Sequence, residues 1–398
     1  MAFSSTRFFQ GTGSMQSIIP LSKLPQVGTT IFTLMSQLAF KHQAINLSQG
    51  FPDFDGPQLL RDLVCEHIQN GHNQYCPLTG VPKLREQIKR KVAGSYDIEL
   101  DADQEITVVP GATEAIYCAI MATIRKGDEV IVFDPAYDCY DPSIQLAGGN
   151  PIHIPLQAPE FSIDWQRVKD SINSRTRMII INSPHNPTGA VISAEDLDIL
   201  AELVRDTPIL ILSDEVYEHL IFDGAIHASV LGHPELYQRA FVVFSFGKTY
   251  HVTGWKTGYC IAPPGLTAEF RKVHQFVTFV GVTPIQMALA DYLEQDSQHH
   301  LQLPAFYQQK RDYFCQLLEG SRFEFTPTPG TYFQLVDYRN ISDQDDLSMA
   351  EWLTKTQGVA AIPISVFYQN PPKQTYLRLC FAKESATLEK AAEILCKI

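Results

Sequence analysis

Residues 240–249 read Ala240-Phe241-Val242-Val243-Phe244-Ser245-Phe246-Gly247-Lys248-Thr249. The first five are uncharged and rich in Val and Phe, the composition of a strand buried on both faces. A lysine directly beyond such a strand stands where solvation is poor. A desolvated amine loses basicity, and a neutral amine attacks carbonyls. A lone lysine past a strand is more often a solvated surface charge, so its meaning turns on the neighbouring segments. Gly247-Lys248-Thr249 has the tail of a phosphate-binding loop, but that motif requires a glycine where this chain has Val242. It is not a nucleoside triphosphate loop.

Outward from this segment the chain alternates. Strand-like runs at 106–109, 129–133, 178–182, 209–213 and 241–244 are separated by amphipathic helical stretches such as 113–124 and 194–205. Continuous apolar strands between helices predict a mainly parallel sheet sandwiched by helices. In such sheets the ligand-binding groups gather in loops beyond the strands' C-terminal ends. Upstream, the pattern predicts helices over 29–40, 58–71 and from Pro82, with a Gly/Pro/Asp-rich loop at 48–54. From about residue 293 the alternation fades into a helix over 303–318 and strand-like runs at 332–336 and 376–381. The expected class is α/β, with a large domain over 56–292. Residues 15–55 together with 293–398 are expected to form a smaller α+β domain.

The strand ends carry residues with chemistry. Pro110-Gly111-Ala112-Thr113-Glu114 opens a helix, whose free N–H groups suit a phosphate; an ordinary turn capped by Thr113 is the plain alternative. Tyr137, just past the strand at 129–133, would lay its ring on a flat ligand or pack in the core. Asn186 sits in a loop fixed by Pro184 and Pro187, although Asn before Pro is often only a turn former. Asp214 ends an apolar run where an isolated carboxylate is costly. It would either cap a helix or face a buried cationic ring nitrogen. Lys256 would supply a fixed positive charge for a phosphate, or nothing if it faces solvent. In this order the set offers a phosphate cradle, an aromatic stacker, Asn and Tyr for a phenolic oxygen, an Asp for a ring nitrogen and a lysine amine. That inventory matches pyridoxal 5′-phosphate held by a lysine.

Bulk properties remove other classes. A net charge of −13 argues against nucleic acid or anionic membrane as partners. No apolar run approaches the roughly 18 residues of a membrane span. The eight cysteines lack C-x-x-C spacing, and no His pair has ligand spacing. They read as reduced thiols of a cytoplasmic protein without a metal. Residues 1–14 contain no apolar core of signal-peptide length. They are expected to be a disordered tail or an added segment before a natural start at Met15, with a weak organelle-targeting signal as the third reading.

Eight stretches carry a family resemblance: LSQGFPDF (47–54), NQYCPLTGVPKLRE (73–86), GATEAIYCAI (111–120), FDPAYDCY (133–140), NSPHNPTG (182–189), SDEVYEHL (213–220), SFGKTYHVTGWKTGYC (245–260) and YLRLCFAK (376–383). From about residue 20 to the end the chain resembles the fold-type I, class I/II aminotransferases that depend on pyridoxal 5′-phosphate. The resemblance is nearest to the methionine aminotransferase branch beside the kynurenine and glutamine transaminases.

The resemblance implies roles residue by residue. Lys248 would anchor the cofactor covalently and move the substrate's α-proton. Asp214 would bind the ring nitrogen, Asn186 and Tyr217 the phenolic oxygen, and Tyr137 would stack on the ring. Ala112, Thr113, Ser245 and Lys256 would hold the phosphate. Many relatives carry Arg in place of Lys256, which makes this contact a point charge rather than a fork. Arg378 would grip the substrate carboxylate in a two-pronged pairing that lysine cannot reproduce, with Asn186 and the Gly50 backbone beside it. Tyr75 would be lent across a homodimer interface to the partner's phosphate site.

The implied activity is ping-pong transfer of an amino group from an apolar or aromatic L-amino acid, methionine foremost, to a 2-oxo acid. The rivals on this fold are a C–S β-lyase of cysteine conjugates and a kynurenine or glutamine transaminase. A non-catalytic sensor is the rival from another class. Tyr75, Tyr137 and Phe367 suggest an apolar or aromatic side-chain pocket.

Overall fold

The structure, a computed structural model, describes residues 21–398. Residues 1–14, expected as a tail or added segment, lie outside the described residues. In chain order the strands are β1 (Ile45–Asn46), β2 (Ile106–Val109), β3 (Glu129–Asp134), β4 (Asn150–Pro155), β5 (Thr176–Asn182), β6 (Leu210–Asp214), β7 (Ala240–Ser245), β8 (Gly258–Ile261), β9 (Phe333–Asp337), β10 (Val359–Ala360), β11 (Ile362–Pro363) and β12 (Tyr376–Cys380).

Seven of them form one sheet in the order β2-β8-β7-β6-β5-β3-β4. β3 to β7 pair in parallel, and β8 runs antiparallel to both of its neighbours. Successive side chains of a strand point to opposite faces, and the two cores show it. Ile131, Ile179, Ile211 and Val242 join one apolar cluster, whereas Val130, Val132, Ile180, Leu212 and Val243 join another. Helices Pro82–Tyr96 and Ala194–Val204 bury Ile88 and Leu200 in the first cluster. Helix Ala112–Thr123 buries Ala115, Ile116 and Ile120 in the second. Each large side chain removed from water contributes about 1.5–3 kcal/mol, so a strand apolar on both faces is the natural centre of such a sandwich.

Two strands of this sheet were not foreseen. β4 is an edge strand that is only partly buried and carries Pro151 and Pro155. Prolines, which have no N–H for a ladder, are tolerated at an edge. β8 is four buried residues whose pattern merged with the loop after Lys248. Its pairing with β7 sets Gly258 opposite Ser245. The lysine itself follows β7 on a single helical turn, Phe246–Thr249.

The C-terminal part forms a smaller antiparallel sheet, β11-β12-β9. β1 pairs in parallel with β10, which ties residues 45–46 to 359–360. Leu47, Met35, Tyr332, Val336, Leu379 and Leu388 share a third apolar cluster there. No helix among the described residues is long and apolar enough to cross a membrane.

Candidate active site

The ends of β5, β6 and β7, the loop after β3 and the start of helix Ala112–Thr123 converge on one cavity. Its walls include Ala112, Thr113, Tyr137, Asn186, Asp214, Tyr217, Ser245, Lys248 and Lys256. These are the residues the sequence assigned to a cofactor, Tyr75 excepted. The backbone there is shaped for close approach. Gly111 has φ of 87°, and a Cβ on it would lie 3.2 Å from Lys256 Nζ. Only glycine takes this conformation at no cost, and it sets the lysine ammonium beside the first turn of the helix. The N–H groups of Ala112 and Thr113 are in that first turn, which has no carbonyl one turn earlier to receive them.

Asp214 is 3% exposed. It accepts a hydrogen bond from the Tyr140 hydroxyl at 2.7 Å and one from the Val216 N–H at 3.4 Å. Burial pushes its carboxyl up to about 6, opposed by the Tyr140 bond, the Val216 N–H and the charge of Lys248. No helix begins after it, so the capping alternative does not apply. Lys248 is driven the other way. Burial, with the charges of Arg378 and Lys256, lowers its amine to about 8. Its Nζ donates to Tyr332 Oη at 2.9 Å and to the Gly50 carbonyl at 3.1 Å.

The segment 213–220 that carries Asp214 and Tyr217 is pinned by two buried acids. Glu215 accepts from Ser213 Oγ at 2.8 Å and the Val230 N–H at 3.0 Å, and pairs with His227 at 2.8 Å. Glu218 pairs with Lys91 at 2.6 Å, and Tyr96 donates its hydroxyl to the same carboxylate. Both members of the Lys91–Glu218 pair are at least 96% buried. Removing one partner of such a pair strands the other charge. Lys91→Ala is therefore expected to lower stability by about 3 kcal/mol, read as an earlier urea midpoint. A midpoint equal to wild type would contradict it.

Arg378 enters from β12. It is 1% exposed and forms no ion pair with a carboxylate among the described residues. Nη1 donates to Asn186 Oδ1 at 2.7 Å, Nη2 donates to the Ser48 carbonyl at 2.8 Å, and the buried Nε has no partner among the described residues. The guanidinium lies 3.9 Å from the Phe333 ring centroid and 5.3 Å from that of Phe32. A buried cation held only by neutral acceptors and aromatic faces is a receptor for an incoming carboxylate. Because Arg378 occupies Asn186 Oδ1, the Asn186 amide N–H groups remain available to the cavity. The Asn186 N–H donates to Asn182 Oδ1 at 2.9 Å, and Asn182 Nδ2 donates to the Asp214 carbonyl at 2.8 Å. One chain of contacts thus fixes Arg378, Asn186 and Asp214 relative to each other.

Tyr75 is not brought into this cavity. It is 82% exposed, with its ring 5.5 Å from Phe279. The Gly50 backbone, expected beside the substrate carboxylate, offers its carbonyl to Lys248 in this structure. Sequence reasoning missed Tyr140, Asn182 and Tyr332. Tyr140 lies three residues beyond Tyr137 and Asn182 ends β5, so position alone was a usable signal for both. Tyr332 precedes β9 without any local motif.

A buried amine of lowered basicity, a buried carboxylate without an ion pair among the described residues, a helix start and an unpaired arginine agree with the chain's kinship to known proteins. Residues 42–395 match the family of class I and II aminotransferases. The chain belongs to that family and is an aminotransferase, an enzyme acting on amino acids and 2-oxo acids. It is 54% identical over 378 residues to methionine aminotransferase of Escherichia coli, covering 95% of this chain and 98% of that protein. It is 32% identical to human kynurenine–oxoglutarate transaminase 1, covering 91% and 94%. The solved structure of Escherichia coli YbdL, identified as a methionine aminotransferase, superposes with a TM-score of 0.94, covering 96% of this chain and all of that one. The N-succinyldiaminopimelate aminotransferase of Mycobacterium tuberculosis gives 0.91 at 35% identity, covering 95% and 100%. The fold is the fold-type I arrangement expected from the sequence.

Proposed function

We propose that this aminotransferase works with pyridoxal 5′-phosphate, that its preferred donors are methionine and related apolar or aromatic L-amino acids, and that it acts as a cytoplasmic homodimer. The observation that carries the cofactor is the meeting of Lys248, Asp214 and the Gly111–Thr113 helix start in one cavity. The donor set fits group by group. Ala112, Thr113, Ser245 and Lys256 suit a phosphate. Asp214, which accepts from a phenol and an N–H and has no ion pair among the described residues, suits a protonated ring nitrogen. The free Asn186 amide and the Tyr217 hydroxyl suit a phenolic oxygen, and the Tyr137 ring suits the face of a flat heterocycle.

Bound there, the cofactor supplies an electrophilic carbon for amine exchange and a ring that stabilises negative charge at the substrate's Cα. The chain does the rest. Arg378 presents N–H groups to the substrate carboxylate, with the Asn186 amide beside it, and so fixes the α-carbon. Lys248 Nζ, once free, accepts the α-proton and later gives it up. Asp214 remains an anion opposite a cationic ring nitrogen, whose charge favours its ionised form.

The donor class is supported by the 54% identity to the Escherichia coli methionine enzyme and by the walls near Arg378. Phe32 lies 5.3 Å from the guanidinium and 5.7 Å from Phe367. A side chain extending from a carboxylate held at Arg378 toward Phe32 and Phe367 meets aromatic surface. The test is a half-reaction screen, with each amino acid added to the loaded enzyme and the cofactor's visible absorbance followed. Methionine is expected to bleach it fastest. Release of pyruvate and ammonia from a cysteine conjugate, without any oxo acid, would assign the chain to the lyases instead.

The homodimer is supported by an exposed apolar surface around Tyr75 that includes Phe276 (84% exposed), Phe279 and Val282. Phe276→Asp is expected to shift sedimentation toward a monomer and to reduce activity in parallel. A dimer unchanged by this substitution would place the interface elsewhere. Eight unpaired cysteines support a reducing, cytoplasmic setting. The β1–β10 pairing supports the division into 56–292 and 15–55 with 293–398.

A further inference from the structure

Tyr332 is 0% exposed, and its ring is wedged among Tyr217 at 5.1 Å, Tyr307 at 5.7 Å and Phe333 at 4.9 Å. Its hydroxyl donates to the Gly50 carbonyl at 2.6 Å. Lys248 Nζ donates to that same carbonyl at 3.1 Å and to Tyr332 Oη at 2.9 Å. The three polar groups form a closed triangle spanning the turn after β7, the loop after β1 and the residue before β9.

We propose that Tyr332 is a positioning residue for Lys248: with the Gly50 carbonyl, it takes up the free amine's N–H groups and so turns the nitrogen lone pair toward the cavity. The role rests on Lys248 being the reactive amine. The sense of each bond decides the matter. The Tyr332 hydrogen goes to Gly50, with the neighbouring Tyr217 oxygen as its other acceptor, so toward the lysine the Tyr332 oxygen accepts, and a carbonyl can only accept. A neutral amine has two N–H groups and one lone pair. With both N–H groups engaged, the lone pair points away from Tyr332 and Gly50, neither of which lines the cavity that Lys248 shares with Asn186, Asp214 and Tyr217. Burial holds the Tyr332 phenol well above its ordinary range, so it stays neutral and keeps this bond sense. Packing around the ring leaves the hydroxyl little freedom. Gly50 is equally fixed, since a Cβ there would lie 2.8 Å from Phe333 Cζ.

A purely structural hydroxyl would be satisfied by Gly50 alone, so the two roles separate in Tyr332→Phe, which keeps the ring and removes the oxygen. In the loaded enzyme we expect kcat for methionine to fall about tenfold with KM within about twofold, as for loss of a group that acts on proton transfer. The isotope effect with α-deuterated methionine should rise. In the cofactor-free chain, capture of pyridoxal phosphate by Lys248, trapped with borohydride, measures the neutral amine. The pH midpoint of capture should fall below that of wild type, because an acceptor that favours the ammonium form has been lost. In a Lys248→Ala background rescued by methylamine, Tyr332→Phe should have no further effect on rate.

Unchanged kcat and capture midpoint, or an equal loss in the Lys248→Ala background, would overturn the role. If wild type itself captures no cofactor at Lys248, it is the assignment of that lysine that fails instead. Should Tyr332→Phe not accumulate as folded protein, 3-fluorotyrosine at 332 keeps the ring and weakens the oxygen as an acceptor. The midpoint should then move in the same direction by less, and an unmoved midpoint would again overturn the role.

Discussion

Lys248→Ala is expected to abolish turnover, lowering kcat by roughly 10⁴-fold or more, since nucleophile and proton carrier are lost together. The fold should survive. The lysine amine is lowered from 10.5 to about 8 by burial, so the folded chain binds this proton less tightly than the unfolded chain does. Between about pH 8 and 10.5 the unfolded state carries a proton that the folded state has released, and stability rises with pH across that window. Below about pH 8 the buried ammonium exacts its full penalty. Cofactor-free Lys248→Ala should therefore be as stable as wild type or more so at pH 7, and the difference should shrink above pH 10. Thermal unfolding at the two pH values checks this. A variant markedly less stable at pH 7 would mean that the amine's bonds to Gly50 and Tyr332 outweigh its desolvation.

Arg378→Lys is expected to lower kcat/KM for methionine by about 10²-fold, because a lysine keeps the charge but loses the fork that meets a carboxylate and the bonds to Asn186 and Ser48. The loss should be carried mainly by KM if the carboxylate is gripped equally in ground and transition states. Arg378→Met should cost more activity yet little stability. A buried cation without a carboxylate partner contributes little net stability to the cofactor-free fold, and an apolar side chain of similar length suits its place between Phe32 and Phe333. A retained kcat/KM in Arg378→Lys would mean that the substrate carboxylate is held elsewhere.

Local signals in the sequence were sufficient for much of the large sheet. Met178–Ile181 and Val242–Phe244 are apolar on both faces and alternate with helices, the pattern of a covered parallel sheet, and such sheets gather their chemistry at the strand ends. Tyr137, Asn186, Asp214 and Lys248 were legible for that reason. β4 was not, because Pro151 and Pro155 disguise an edge strand, and β8 was too short to separate from its loop. Tyr140 lay in plain view, but its bond to Asp214 joins residues 74 positions apart. The bond between Tyr332 and Gly50 spans 282 positions. Periodicity reports what a residue packs against. It carries no record of which distant oxygen a hydroxyl finds.

The most direct measurement is reduction of the purified, pyridoxal phosphate-loaded protein with borohydride, followed by peptide mass mapping. The expected result is one reduced cofactor per chain, fixed on Lys248 in the peptide that contains Ser245-Phe246-Gly247. A protein that fixes no cofactor, or fixes it on Lys256 or another lysine while Lys248 stays unmodified, would contradict the account.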